Sequence, residues 1–332
     1  RRNSRFLTDQ MFEKLCRYYG TFSDTSEQFH ASSFPIREHS DCQVYTYSKD
    51  YFAAAAVAML GAKQEIFIAS WKNSPRVLLT RPPLPPLRLD QILAMKAKQG
   101  VKIYILLYKE VEISGQGNDS ALAMSYLEGL HENIQIIRHP NKFVGGSTAV
   151  MWSHHEKLLC VDRNLAFVGG IDMAIGRWDD ADHNMVDPYG LKYPGKDYRQ
   201  PAEKMHIPVC SGTIPGSESQ PSSSRNFGTK MADVAKGTLE WAIGTTKGNG
   251  NGSFTNVIND DEVVGIVDDA IEGEGDDEGR ESHLVSGTPL ECRDLFPRSG
   301  WHDVHSCVSG VAARDVAAHF IERWQHHRLS IM

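Results

Sequence analysis

Residues 154–172 read HHEKLLCVDRNLAFVGGID. Two apolar runs, LLCV and LAFV, flank the polar triplet Asp162-Arg163-Asn164. Short apolar runs around a polar turn predict a β-hairpin, with strands over residues 151–161 and 165–169. Side chains alternate across a strand, so His155 and Lys157 are expected on one face and His154 on the other. Asp162 falls at the turn, where a carboxylate can fix local geometry.

Working outward, the preceding sequence alternates helix and strand. Ser48 or Asp50 is placed to cap a helix over residues 51–62. Residues 65–71 (EIFIASW) read as a buried strand, and the four prolines of residues 81–87 (RPPLPPL) require a loop. Residues 88–99 have helical spacing, with Gly100 as a stop. Residues 101–108 (VKIYILLY) are a near-continuous apolar strand, as expected when both faces are covered. A helix over 118–132 and a strand over 133–138 follow. Downstream, residues 312–327 form an amphipathic helix with Val316, His319, Phe320 and Trp324 on one face. This order predicts an α/β sandwich around a mixed, largely parallel sheet.

The chain has 332 residues, 41% of them apolar and 23% charged, enough for one large domain or two smaller ones with a real core. That excludes a collagen, a wholly disordered chain and a disulfide miniprotein. The longest apolar run, residues 51–60, is far short of the roughly 20 residues a bilayer needs, and no secretory signal is expected near the start. The six cysteines lack metal-site spacing, so free thiols in a reducing compartment are expected, with no metal site. Residues 211–289 differ in composition: a Ser/Gly/Pro run, a Gly/Asn run and an acidic block. The block, residues 260–281, holds eleven acids against Arg280, and without it the net −7 chain is mildly basic. Such an insertion is expected to be disordered rather than a calcium site. The predicted division is a helical lead-in (1–32), an α/β domain (33–210), the insertion (211–289), and a return segment with a helix (290–332).

The hairpin carries the chemistry. Its skeleton is His155-x-Lys157, four residues, Asp162, six residues, Gly169-Gly170-x-Asp172. An imidazole beside an ammonium suits phosphodiester cleavage. The neutral histidine attacks phosphorus and forms a phosphohistidine, while the lysine stabilises charge on the non-bridging oxygens. No metal or other cofactor is required if lysines supply the positive charge.

With these residues in view, the chain resembles the phospholipase D superfamily and its HKD motif, in particular the eukaryotic phosphatidylcholine-hydrolysing enzymes. Residues 107–112 (LYKEVE), 138–140 (RHP), 169–180 (GGIDMAIGRWDD), 194–198 (PGKDY), 301–305 (WHDVH) and 314–324 also match that family. The resemblance covers about residues 33–210 and 290–332. It implies a fold of two pseudo-twofold α/β halves, each giving one motif to a shared site, one histidine as nucleophile and the other as acid. It implies catalytic roles for His155, Lys157 and Asp162, with Gly169, Gly170, Asp172, Arg177 and Trp178 as substrate-binding or supporting residues. Gly170 stands where many members have Ser, and Asp172 where many have Asn. Arg177 could pair with Asp179 or a phosphate, and Trp178 could line the substrate mouth or pack. Lys196, Tyr198, His302 and Asp303 are candidate supports. Lys72 stands where relatives often have a second tryptophan.

The implied activity is hydrolysis of phosphatidylcholine to phosphatidic acid and choline, with transfer to alcohols. The implied partners are a phospholipid membrane surface and a phosphoinositide activator, with no nucleic acid, at a cytosolic face. Only His155 has Lys two residues on, so the chain holds half a site. It is expected to be a piece of a longer phospholipase D. The alternatives are a homodimeric single-motif nuclease or cardiolipin hydrolase, and a catalytically inactive lipid-binding remnant.

Overall fold

The computed structural model describes residues 34–38, 40–110, 118–139, 153–198, 293 and 297–331. The helical lead-in and the insertion lie outside the described residues. Residues 1–40 form one unit and 41–332 another, and every element below belongs to the second.

The order is β1 (Cys42–Tyr45), α1 (Ser48–Leu60), β2 (Glu65–Ser70), α2 (Leu89–Lys98), β3 (Lys102–Tyr108), α3 (Ser120–Glu128), β4 (Ile134–His139), β5 (Leu158–Val161), β6 (Leu165–Gly169), β7 (His305–Ser309) and α4 (Val311–Ile331). The strands make one sheet in the order β1-β7-β6-β5-β2-β3-β4. β2, β3 and β4 run parallel, joined through α2 and α3, and the other pairings are antiparallel. The sheet is therefore mixed as expected, but antiparallel pairing predominates. The cause is the hairpin, together with two short strands that the sequence reading missed.

Strand alternation builds two cores. On one face Ile66, Ile68, Ile103, Ile105, Leu159 and Phe167 pack with α1, α2 and α3. On the other, Phe67, Ala69, Leu106, Leu158, Cys160 and Ala166 meet Ala313, Ala317 and Phe320 of α4. Phe67 and Phe320 stack with ring centroids 4.8 Å apart. The sheet is thus covered on both sides, which explains the near-continuous apolar runs of β2, β3 and β5.

Local readings also change. β5 begins at Leu158, so residues 154–157 approach the sheet as a non-strand segment. α1 begins at Ser48 with Tyr47 as N-cap and no side-chain cap. The Ser48 hydroxyl instead accepts from the backbone N–H of Asp179 at 2.6 Å.

Candidate active site at one sheet edge

The register places Tyr45, His305, Gly169, Leu158, Ser70, Tyr108 and His139 along one edge of the sheet. It is the edge at which the parallel strands end, where open α/β sheets bind ligands. His155 and Lys157 enter β5 from this edge. Although the backbone there is not a strand, the two side chains meet: Lys157 Nζ lies 3.3 Å from His155 Nδ1. The ammonium also donates to the His155 carbonyl at 3.1 Å and pairs with Asp172 at 3.2 Å. Lys157 and Asp172 are buried, while His155 stands exposed at the mouth. Asp172 is held in turn by the backbone N–H groups of Trp71 (3.0 Å) and Lys72 (3.2 Å). The Trp71 ring lies 5.4 Å from the His155 ring and 5.8 Å from the Lys157 ammonium. Lys72 thus serves the site through its backbone.

The electrostatics suit a nucleophile. Desolvation and then the Lys157 ammonium push the His155 pKa below its ordinary value, favouring the neutral ring. Desolvation also pulls Lys157 down, against the opposing pull of Asp172. An anion entering beside Lys157 would meet a buried positive group and an uncharged imidazole. That pairing can bind and attack a phosphate.

The paired glycines allow another chain segment to close over the motif. A Cβ on Gly169 would lie 2.5 Å from His305 Cα, and one on Gly170 would lie 2.1 Å from Asp303 Oδ1. The Gly170 N–H donates to Val304 at 2.8 Å. Asp303 acts electrostatically on both His155 and Lys157, consistent with its reading as a support. His305, which the sequence reading did not single out, is buried. It stacks on Tyr51 at 3.8 Å, and its Nδ1 accepts from the Ile171 N–H at 3.3 Å. The His-Asp-Val-His spacing places Asp303 and His305 on one side of an extended segment, and that was its only signal.

Asp162 does not join this site. It lies at the opposite edge of the sheet, roughly 16 Å along the strand from Lys157. Its carboxylate accepts from the backbone N–H groups of Lys63 (2.8 Å), Gln64 (2.8 Å) and Glu65 (2.9 Å). Asp162 is therefore not, as the family resemblance implied, a member of the catalytic group: it fastens the hairpin turn to the start of β2.

Arg177 and Trp178 separate. Arg177 lies over the Trp301 ring at 3.6 Å and acts electrostatically on His155. Trp178 does not line the mouth. It is buried beneath the Arg81 guanidinium at 4.2 Å and meets Tyr193 edge-on. Asp179 binds Arg298 (2.6 Å) and the Trp301 N–H (2.9 Å). Tyr198 is buried and donates to the Arg293 carbonyl at 2.8 Å, while Lys196 is exposed. His302 is exposed and stacks on Tyr47.

Glu156, between the two motif residues, faces α4. It accepts from Arg323 and lies 2.5 Å from His319 Nε2. His154 is buried on that side, 3.6 Å from Glu156. Among the described residues, no group of three or more His, Cys, Asp or Glu side chains is arranged to hold a metal, and no helix is long and apolar enough to cross a membrane.

Residues 58–209 match the family model described as Phospholipase D. The chain is similar to phospholipase D zeta 1 of Arabidopsis thaliana, 34% identical over 277 residues covering 83% of this chain and 18% of that protein. It is 31% identical to phospholipase D1 of Cricetulus griseus over 364 aligned residues, covering 94% and 34%. Against phospholipase D1 of Mus musculus it is 45% identical over 182 residues, covering 54% and 17%. The chain spans at most 34% of the length of these three relatives. With an α/β sheet whose edge carries His155 and Lys157 within the matched segment, the chain belongs to the phospholipase D (HKD) superfamily, among its eukaryotic phospholipases D.

Proposed function

We propose that this chain supplies one half of a phospholipase D active site, hydrolysing phosphatidylcholine to phosphatidic acid and choline. The observation that carries the reading is the buried Lys157–Asp172 pair presenting an ammonium beside the His155 imidazole. A lipid phosphate oxygen takes one of the Lys157 hydrogen bonds. A His155 nitrogen then attacks phosphorus, and a nitrogen–phosphorus bond forms as the bond to the choline oxygen breaks. The choline oxygen leaves with a proton from an acid on the complementary half. Water next attacks phosphorus, giving a proton back to that same group on the complementary half, as the nitrogen–phosphorus bond breaks and phosphatidic acid departs. An alcohol in place of water gives transfer.

One motif cannot be nucleophile and acid in the same step, so a second histidine from further chain completes the site. The reading places the protein peripherally on a cytoplasmic membrane face. Cys42, Cys160 and Cys307 are free thiols, which fits a reducing compartment. Choline release from phosphatidylcholine by the protein joined to its second motif tests the reading. The expected result is release with accumulation of an acid-labile phosphohistidine, both lost in His155→Ala. Release that survives His155→Ala would overturn it.

A further inference from the structure

Of the ten large apolar side chains exposed among the described residues, four fall within seven positions: Met185, Val186, Tyr189 and Leu191. Tyr189 is 79% and Leu191 70% exposed. Their backbone is not loose. Asp187 is buried beneath them and accepts from the backbone N–H groups of Leu191 (3.2 Å), Lys192 (3.0 Å) and Tyr193 (2.7 Å). Arg293 lies 3.6 Å from the same carboxylate. Arg298 donates its backbone N–H to the Met185 carbonyl at 2.8 Å and its Nε to the Asn184 carbonyl at 2.6 Å. A loop pinned from below thus projects apolar side chains outward.

We propose that residues 184–191 form a preorganised wedge that enters the headgroup–acyl boundary of a phospholipid bilayer. The only formal charge in the segment is Asp187, which faces inward to Arg293, so entry desolvates no outward charge. The projecting side chains are a tyrosine, two aliphatics and a methionine. Tyrosine suits the interface because its ring is apolar and its hydroxyl stays wet. The wedge adjoins the candidate site. Met185 Sδ lies 3.9 Å from where a Gly300 Cβ would stand, and the next residue, Trp301, carries Arg177 on its ring. Val304, 54% exposed and adjacent to Asp303, adds apolar surface next to the site. A fluid bilayer accommodates separate projecting side chains, whereas a protein partner would need a matching concave face. This inference rests on the lipid reading above for its purpose, since the wedge would press the mouth of the site against its substrate.

Sedimentation of the purified chain with large unilamellar phosphatidylcholine vesicles tests the wedge. The expected result is vesicle partitioning that falls by roughly tenfold or more in Tyr189→Ser/Leu191→Ser and is unchanged in Leu122→Ser, at a comparably exposed apolar position on α3. Both wedge positions are exposed, so the melting temperature should not move. Leu191→Trp gives a second reading: its fluorescence should shift to the blue and be quenched by brominated lipid. Equal partitioning of the wild-type and double variant, or no shift at Trp, overturns the wedge. So does a change in oligomeric state without a change in partitioning, which assigns the patch to a protein interface. Monomeric dihexanoyl phosphatidylcholine reports the phosphate site alone. Failure of the chain to bind it would count against the lipid reading, while the vesicle arms decide the wedge separately.

Discussion

The two ends of β5 and its flanking residues differ in how fully their charges are satisfied. At one end, the Lys157 ammonium spends its hydrogen bonds on His155 and Asp172. It can give one of them to an incoming oxygen, and His155 beside it is exposed. At the other end, the Asp162 carboxylate is occupied by three consecutive backbone N–H groups. One end is arranged to exchange partners and the other to keep them. Three residues that a motif writes together therefore serve two tasks at opposite edges of a sheet.

The largest expected effect separates the two ends by activity. In the protein joined to its second motif, His155→Ala should lower choline release by about 10³-fold or more with little change in melting temperature, because the ring is exposed. Asp162→Ala should do the reverse. Three charge-assisted hydrogen bonds lose their acceptor, and part of that loss is made up by water, so a cost of about 2–4 kcal/mol is expected in urea unfolding. Activity per folded molecule should stay near wild type. If Asp162→Ala lowers turnover as His155→Ala does without loss of stability, the two ends are not functionally distinct.

Lys157 sharpens the comparison within the reactive end. Lys157→Met leaves the Asp172 carboxylate buried without its cation, a loss of about 3–5 kcal/mol. Adding Asp172→Asn removes the stranded charge and keeps a carbonyl oxygen for the Trp71 and Lys72 N–H groups. The double variant should recover much of the stability and none of the activity. Recovery of both would show that Lys157 supports the fold rather than the phosphate.

Much of this was legible in the sequence, for identifiable reasons. β2, β3 and the hairpin strands are near-continuous apolar runs, and such runs survive any tertiary context that buries both faces. The meeting of His155 and Lys157 was also legible from their spacing, though here the non-strand segment leading into β5 provides it. β1 and β7 were not legible. Each has at most five residues, β1 alternating exposed with half-buried side chains and β7 buried with half-buried ones, and they pair across more than half of the chain. Trp178 was ambiguous because the cation above it, Arg81, comes from the proline-rich loop. The wedge was hidden for a similar reason. Asp187 reads as an ordinary loop acid until Arg293 and the returning backbone are seen to bury it.

Acid should act unequally on the molecule. His305 is buried at the reactive edge between Tyr51 and the Ile171 N–H, and burial followed by the Lys157 charge lowers its pKa from 6.5 to about 3. The unfolded chain takes up a proton near 6.5 that the folded chain refuses. The stability this neutral ring contributes is therefore complete above pH 6.5 and is lost as pH falls from there toward 3. The expected slope is up to about 1.4 kcal/mol per pH unit in urea unfolding. On the α4 side, desolvation holds His327 down to about 4 and His139 to about 2, which steepens the same slope. His305→Phe should flatten part of it. A wild-type slope unchanged by that substitution would place the acid sensitivity with the α4 histidines alone.

The smallest expected effect concerns how the reactive end is closed. Gly170 has so little room that a Cβ would fall 2.1 Å from the Asp303 carboxylate. Many superfamily members carry Ser at this place, so a side chain there is compatible with the fold in general. Here it can be admitted only if Asp303 moves. Gly170→Ala should therefore cost about 1–2 kcal/mol, the ordinary range for overpacking a close contact. Its effect on turnover should exceed what that loss of stability explains. Asp303 raises the His155 pKa while Lys157 lowers it, so displacing Asp303 should move the acid limb of the rate profile to lower pH. At the opposite edge, Asp162→Asn keeps one acceptor oxygen and should cost a similar amount of stability without moving that limb. If Gly170→Ala leaves the limb in place, Asp303 is packing against the motif rather than tuning its histidine.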